Sequence, residues 1–372
     1  MALSRAELIG LDELSARDLD AWRELSLASA EPNPFWDPDF VLPAARALGE
    51  WDEVAVARVV ERSRWTACLP VRRYPRWHGL PRCIASWRHR YCLLGTPLVA
   101  SDMPTAELTL LLDVMFRAGS GLVGSGLDWF DADGTMSLAL EEAAPSAVAL
   151  DRFDRATVSR RTEPDYLEGS VKGKHRREFR RLAAGLEQEL GGGLTLTDGT
   201  GDAGAVEEFL RLEASGWKGE ARTALASNPA HSEFFRQITA TLGKRGLAEL
   251  VLLGTAGGAV AGRHSLRAGG TSFCFKVAYD ERYSRYSPGR ELELRQLERF
   301  HVDPGLARMD SCTAPDNQLF NRLWPDRRHL TTLCVLSPGP LSRLTGSGLR
   351  GAVAVRNAAI RERRRRRDAH PS

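Results

Sequence analysis

Near the start of the chain, LDELSARDLDAWRELSLAS places Leu11, Leu14, Leu19, Trp22 and Leu25 at near-helical intervals, and the first fifty residues read as mainly helical. PNPFWDP, with three prolines in seven residues, interrupts that pattern. Runs of strand character follow at 52–60, 65–74 and 90–99, bounded by charged or Pro/Gly turns. Leu108, Leu111, Leu112, Met115 and Phe116 then share one face of a helix predicted over 105–118, with shorter strands at 122–130 and 146–150.

A second cycle begins near residue 164. It reads as a helix over 171–190, a strand at 194–198, helices over 206–217 and 230–243, and three consecutive strands at 248–254, 258–268 and 271–280. The loop ERYSRYSPG leads into a helix at 290–301, a strand at 306–312, a short helix at 316–323 and a last strand at 329–336. Element order is similar in the two cycles, although no residue-level repeat links them. The expected division is 1–163, 164–338, and a Gly/Ser-rich and Arg-rich tail over 339–372 that reads as flexible.

Composition narrows the class. With 372 residues, 43% of them hydrophobic and 27% charged, the chain is large enough for a substantial core without disulfides or metals. It lacks an apolar run of bilayer length, and the acid-bearing N-terminus has no signal-peptide core, so a cytoplasmic protein is expected. Its six cysteines are scattered without CxxC spacing, so free buried thiols are expected and no zinc or other metal. The net charge of +3 is concentrated at one end, where residues 356–372 hold seven arginines against Glu362 and Asp368. The body is therefore slightly acidic, and bulk charge does not mark it as a nucleic-acid binder. No GxSxG, Walker loop, HExxH or dinucleotide fingerprint is present, GLVGSGLDWF reads as an ordinary glycine turn, and His264 and His329 read as structural.

FKVAYDERYSRYSPGRELELRQLERF, 275–300, carries the clearest chemistry. A β-rich strand runs into Ser287-Pro288-Gly289, and a long helix begins just beyond. A glycine there permits close backbone approach, and the first-turn N–H groups with the helix dipole favour an anion such as pyrophosphate. On the alternating strand, Lys276 falls on the face opposite Phe275 and Val277, beside small residues, where it suits a carboxylate or phosphate. Glu213, near the end of the helix at 206–217, and Asp310, on the strand at 306–312, are the carboxylates that stand out beside these elements. A basic segment, KGKHRREFRRL, crowds cations at a helix start, against the macrodipole, and an anionic partner such as RNA would offset that.

Four patches, KGKHRREFRRL at 172–182, LEASGWKG at 212–219, FKVAYDERYSRYSPG at 275–289 and DNQLFNRLWPDRR at 316–328, with a weaker one, SWRHRYCLLGTPLV at 86–99, resemble the CelD-like acyltransferases of the GNAT superfamily, distant relatives of the Fem aminoacyl-transferases. The resemblance implies an α/β (α+β) fold of two GNAT-like domains, each a mixed, largely antiparallel sheet flanked by helices, the first on the acceptor side. It also implies acyl-CoA, acetyl-CoA first, as co-substrate, held by Val277, Tyr286, Ser287, Pro288, Gly289, Arg290 and Asn317. Catalytic roles would fall to Glu213, Lys276, Asp310 and Tyr279, acceptor binding to Trp217 and Lys218, and the oxyanion to a backbone N–H of the 275–279 strand. Two departures are visible: Gly289 is followed by Arg290 and Glu291 where many GNAT loops continue Gly-x-Gly or Gly-x-Ala, and the position of a frequent tyrosine acid holds Phe320. The expected function is N-acylation of a small-molecule or saccharide amine by direct attack. The alternatives are a Fem-like enzyme using aminoacyl-tRNA, bound through 172–181, and a non-catalytic scaffold.

Overall fold

The computed structural model describes residues 4–102, 104–119, 124–161, 173–216, 219, 221–337 and 344–356. The first half runs β1 (Ser4–Gly10), α1 (Ala16–Ala28), α2 (Pro38–Leu48), β2 (Val54–Glu61), β3 (Arg64–Trp77), β4 (Leu80–Ser86), β5 (Leu98–Val99), α3 (Pro104–Ala118), β6 (Gly124–Asp131), α4 (Thr135–Ala143) and β7 (Val148–Ser159). The second runs α5 (Gly173–Leu190), β8 (Thr195–Asp198), α6 (Ala203–Ala214), α7 (Pro229–Lys244), β9 (Ala248–Thr255), β10 (Gly258–Ala268), β11 (Thr271–Tyr279), α8 (Pro288–Val302), β12 (Arg308–Asp310), α9 (Gln318–Leu323) and β13 (Asp326–Leu336). Local chemistry sets the boundaries. Ser15 and Asp18 form a reciprocal capping box at α1, and Asp37 caps α2 with Pro38 in the first turn and Gly49 in the left-handed conformation at its end.

Several expectations are corrected. Residues 4–10 are an edge strand rather than helix, β4 was not anticipated, and of the run 90–99 only Leu98–Val99 is strand. Within the tail, residues 344–356 are helical, and Leu349 and Val353 pack on a cluster around Trp77 and Leu336.

After α5, the second half repeats the first: a strand, two helices, three antiparallel strands, a helix, a parallel strand, a short helix and a last strand. The strands join in one sheet of order β1-β2-β3-β4-β6-β13-β7-β12-β11-β10-β9-β8. The last strands are exchanged. β13 lies between β6 and β7, both from the first half, while β7 pairs with β13 and β12, both from the second. Arg155 and Arg328 are register partners in the β7–β13 ladder.

These two arginines are buried, and each reaches the aspartate ending a parallel strand. Arg155 Nε lies 2.7 Å from Asp310 Oδ1, its Nη2 donates to Oδ2 at 2.9 Å, and its Nη1 donates to the Leu93 carbonyl. Arg328 donates to Asp131 Oδ2 at 2.5 Å and to Asp310 Oδ2 at 2.7 Å, with Glu31 3.9 Å away. Two guanidiniums therefore face three buried carboxyls. Burial and the neighbouring Asp131 push Glu31 up to about 7, so one of the three holds a proton near neutrality and the cluster approaches charge balance.

Candidate active site

β11 and β12 pair in parallel over only three positions, Thr271–Arg308, Ser272–Met309 and Phe273–Asp310. Beyond Phe273 the strands part, and β11 continues to Tyr279 supported by β10 alone. Into the split opens a cleft of about 420 Å³, lined on one side by Cys274–Val277 and Tyr279, and on the other by Ser311, Cys312 and Thr313. Its ends are Ser287, Gly289 and Arg290 at the start of α8, and Asn317 and Phe320 beside α9.

α8 is fixed under the cleft by buried Leu292, Leu297 and Phe300 and by an ion pair of zero exposure, Arg263–Glu293 at 2.5 Å. Its entry is strained: Ser287 has φ 55° and ψ 56°, a left-handed conformation costing a non-glycine residue about 1–2 kcal/mol. Pro288 has no N–H, and the N–H groups of Arg290 and Glu291 turn back to the Ser287 carbonyl at 3.0 and 3.3 Å. Positive charge at this end therefore comes largely from the Arg290 guanidinium, whose Nη2 donates to Ser287 Oγ at 2.8 Å and which lies over the Phe179 ring. Glu291 pairs with Arg295 at 2.7 Å, so its charge is met within the helix. Gly289 lies against Tyr279: an added Cβ would come within 3.3 Å of the ring.

At mid-cleft Lys276, 18% exposed, donates to Glu213 Oε1 at 3.0 Å. Glu213 is fully buried, and its Oε2 accepts the Leu225 N–H at 2.8 Å. Of the expected residues, Lys276, Val277, Tyr279, Ser287, Gly289, Arg290 and Asn317 line the cleft. Asn317 also caps α9 through the Phe320 N–H.

Others stand elsewhere. Tyr286 turns onto α5, donating to Glu189 and packing near Gly185, and Pro288 is buried. Glu213 does not line the cleft and bonds to Lys276, which does. Asp310 has zero exposure: Oδ1 also accepts the Cys312 N–H at 2.9 Å, and Oδ2 accepts both arginines. Burial raises its proton affinity, yet the guanidiniums of Arg155 and Arg328 hold the carboxyl below its ordinary range, a poor state for a proton acceptor. Trp217 and Lys218 lie outside the described residues, as do Lys172 and the side chains of 174–176, while Arg177, Arg180 and Arg181 are exposed on α5.

The first half also reaches Lys276, through contacts that the residue pattern did not reveal. Its own parallel pair, β4 and β6, also meets over two positions only, but there the split is bridged. Gly95 abuts the chain so closely that a Cβ would lie 1.8 Å from the Asp128 carbonyl, and Asp128 accepts from Trp77 Nε1 at 2.8 Å. The same segment reaches the second half. Tyr91 stacks on Phe234 at 4.7 Å, Lys276 Nζ lies 5.7 Å from the Tyr91 ring centre, and Arg90 donates to the Thr223 carbonyl.

Residues 173–318 match the family described as acetyltransferase (GNAT) domain. The chain is an acyltransferase of GNAT-type fold. Among solved structures it is similar to FemX at 13% identity, covering 91% of this chain and 100% of that one with a TM-score of 0.55. It is also similar to a Bacteroides thetaiotaomicron protein of unknown function (13%, 90% and 100%, TM-score 0.54). A third is a C-terminal domain assigned to a lysylphosphatidylglycerol synthetase of Agrobacterium fabrum (11%, 91% and 97%, TM-score 0.54). At these identities the likeness concerns the fold. No curated protein sequence matches the chain. Among the described residues of this acyltransferase no helix is long and apolar enough to cross a membrane, and no group of three or more His, Cys, Asp or Glu is placed to hold a metal.

Proposed function

We propose that the chain is a CelD-like N-acyltransferase that moves an acyl group, acetyl in the first instance, from acyl-CoA to the amine of a small metabolite or saccharide precursor by direct attack. The observation that carries this reading is the cleft between β11 and β12, opening onto the start of α8. The unpaired edge of β11 beyond Phe273 suits the amides of an extended pantetheine arm. Arg290, Ser287 and the start of α8 suit its pyrophosphate. The amine nitrogen attacks the thioester carbon, the C–S bond breaks, and the proton the nitrogen sheds ends on the departing sulfur, which leaves as the thiol. Lys276 serves that step twice: its charge favours the developing oxyanion, and it repels the proton of a neighbouring ammonium, easing its loss to water. Glu213 is then a positioning residue that holds Lys276. Five buried thiols and a half-buried one suit a reducing, cytoplasmic setting.

A thermal shift of the purified protein tests the donor. Coenzyme A or acetyl-CoA at a hundredfold excess over Kd is expected to stabilise the fold by about 2.7 kcal/mol, a rise of a few degrees. Gly289→Trp, which puts an indole against Tyr279 in the cleft mouth, should abolish the shift. No shift with either compound removes the donor assignment. Exposed Arg177, Arg180 and Arg181 favour aminoacyl-tRNA as a second reading, and a shift with bulk tRNA alone, lost as salt rises, would select it.

Glu213→Gln tests the positioning. It keeps the size but leaves Lys276 without its charged anchor. Turnover should fall about tenfold or more, near 1.4 kcal/mol in barrier, while KM for the donor stays close to wild type. Unchanged turnover in the folded variant would take the pair out of the mechanism.

A further inference from the structure

Resting on the acyltransferase reading above, we propose that the acceptor carries an anionic group, a carboxylate or a phosphate, close to its reacting amine, and that Arg90 and His231 hold this group beside Tyr91 while Lys276 faces the donor cleft. Three basic side chains converge on one phenol. Arg90 Cζ lies 5.3 Å from the Tyr91 ring centre, Lys276 Nζ 5.7 Å, and the His231 ring 5.7 Å edge-on. They come from three separate parts of the fold: the 87–97 segment, β11 and the first turn of α7.

Charge in this corner does not cancel. Glu213, the carboxylate paired here, is buried and already neutralises Lys276, leaving the exposed Arg90 as the cation facing solvent. Arg90 donates to the Thr223 carbonyl, a neutral partner that orients the guanidinium without discharging it. Burial, with the nearby Arg90 and Lys276, lowers the proton affinity of His231, which enters as a neutral ring able to donate one N–H. The Tyr91 ring beneath them is buried and stacked on Phe234, a rigid floor for the two side chains. A neutral alkylamine would leave the Arg90 guanidinium and the His231 N–H unmet. An amine with a carboxylate or phosphate a few bonds away satisfies both and sets its nitrogen toward the cleft.

Matched pairs of small amines provide the test. Ligand-observed NMR would measure γ-aminobutyrate against n-butylamine, and O-phosphoethanolamine against ethanolamine, each with coenzyme A present. At least tenfold tighter binding of the anionic member is expected in one pair, and which pair responds separates a carboxylate from a phosphate. Arg90→Gln should reduce that preference to about twofold while retaining the coenzyme A thermal shift. Equal binding within both pairs, no binding by any of the four, or an anion preference that survives Arg90→Gln overturns the proposal. Coenzyme A stabilisation reports on the donor reading alone. Its absence, with an Arg90-dependent anion preference intact, would leave this acceptor subsite standing and remove acyl-CoA.

Discussion

Expressed apart, residues 1–163 and residues 164–338 are each expected to aggregate or to be recovered only as dimers, whereas expressed together they should form a soluble 1:1 complex. The exchange of last strands dictates this. In the first half alone, β7 has no neighbour, because both its partners, β13 and β12, belong to the second half. β6 keeps only its two-residue contact with β4. In the second half alone, β13 loses β6 and β7 together, and β12 keeps three pairs with β11. Each fragment would expose apolar strand edges, which favour association. Because the two halves follow the same plan, a second copy of one half is the closest substitute for the missing strand, so a dimer is the soluble form expected of a fragment. Circular dichroism and size-exclusion chromatography decide the matter. A monomeric half that unfolds cooperatively would show that the exchanged strands are dispensable.

Much of the local structure was legible. The expected helix at 290–301 is α8, Pro288–Val302, and the strands at 258–268 and 271–280 match β10 and β11 within a residue, because periodicity and turn residues act locally. What stayed hidden depends on distant partners. SRAELIG falls in a stretch that reads as helical, yet it pairs with β2 along its whole length. RYCLLGTPLV has the composition of a strand but mostly lacks strand pairing: its carbonyls at Leu94 and Thr96 accept from Asn33, and Gly95 bridges the β4–β6 split. No pattern within β7 or β13 announces that each pairs outside its own half.

The same distinction runs through the site. The Ser-Pro-Gly loop and Lys276 could be found from spacing, because the helix start and the strand alternation are local features. Tyr91 and His231 could not, since nothing in the sequence places residues 87–97 against α7. Glu213 and Asp310 stand out in the sequence as carboxylates, but residue type cannot tell a solvent-facing acid from one enclosed by arginines.

Asp310→Asn is expected to cost about 3–5 kcal/mol at pH 5, a large share of the stability of a typical protein, because it leaves two buried guanidiniums facing Asp131 alone. Proton bookkeeping sets how that cost varies with pH. Glu31, pushed up to about 7 by burial and by Asp131, is protonated at pH 5 and ionised at pH 8. At pH 8 its charge replaces part of what the substitution removed, so the variant should lose less stability there than at pH 5. Wild-type protein has a second signature. The folded-state carboxyl of Asp310 is held below its unfolded range, so its contribution is present above about pH 4 and disappears as pH falls through the folded value. Urea unfolding of both proteins at pH 5 and pH 8, and of the wild type as pH falls below about 4, measures these differences. A loss under about 1 kcal/mol at pH 5 would mean the pairing of Arg155 and Arg328 with Asp310 contributes no more than a surface ion pair. A cost independent of pH would mean that Glu31 does not share its charge. Because Asp310 ends the strand from which the cleft splays, milder destabilisation should also weaken the coenzyme A shift, through loss of the β11–β12 geometry and without any proton transfer by Asp310.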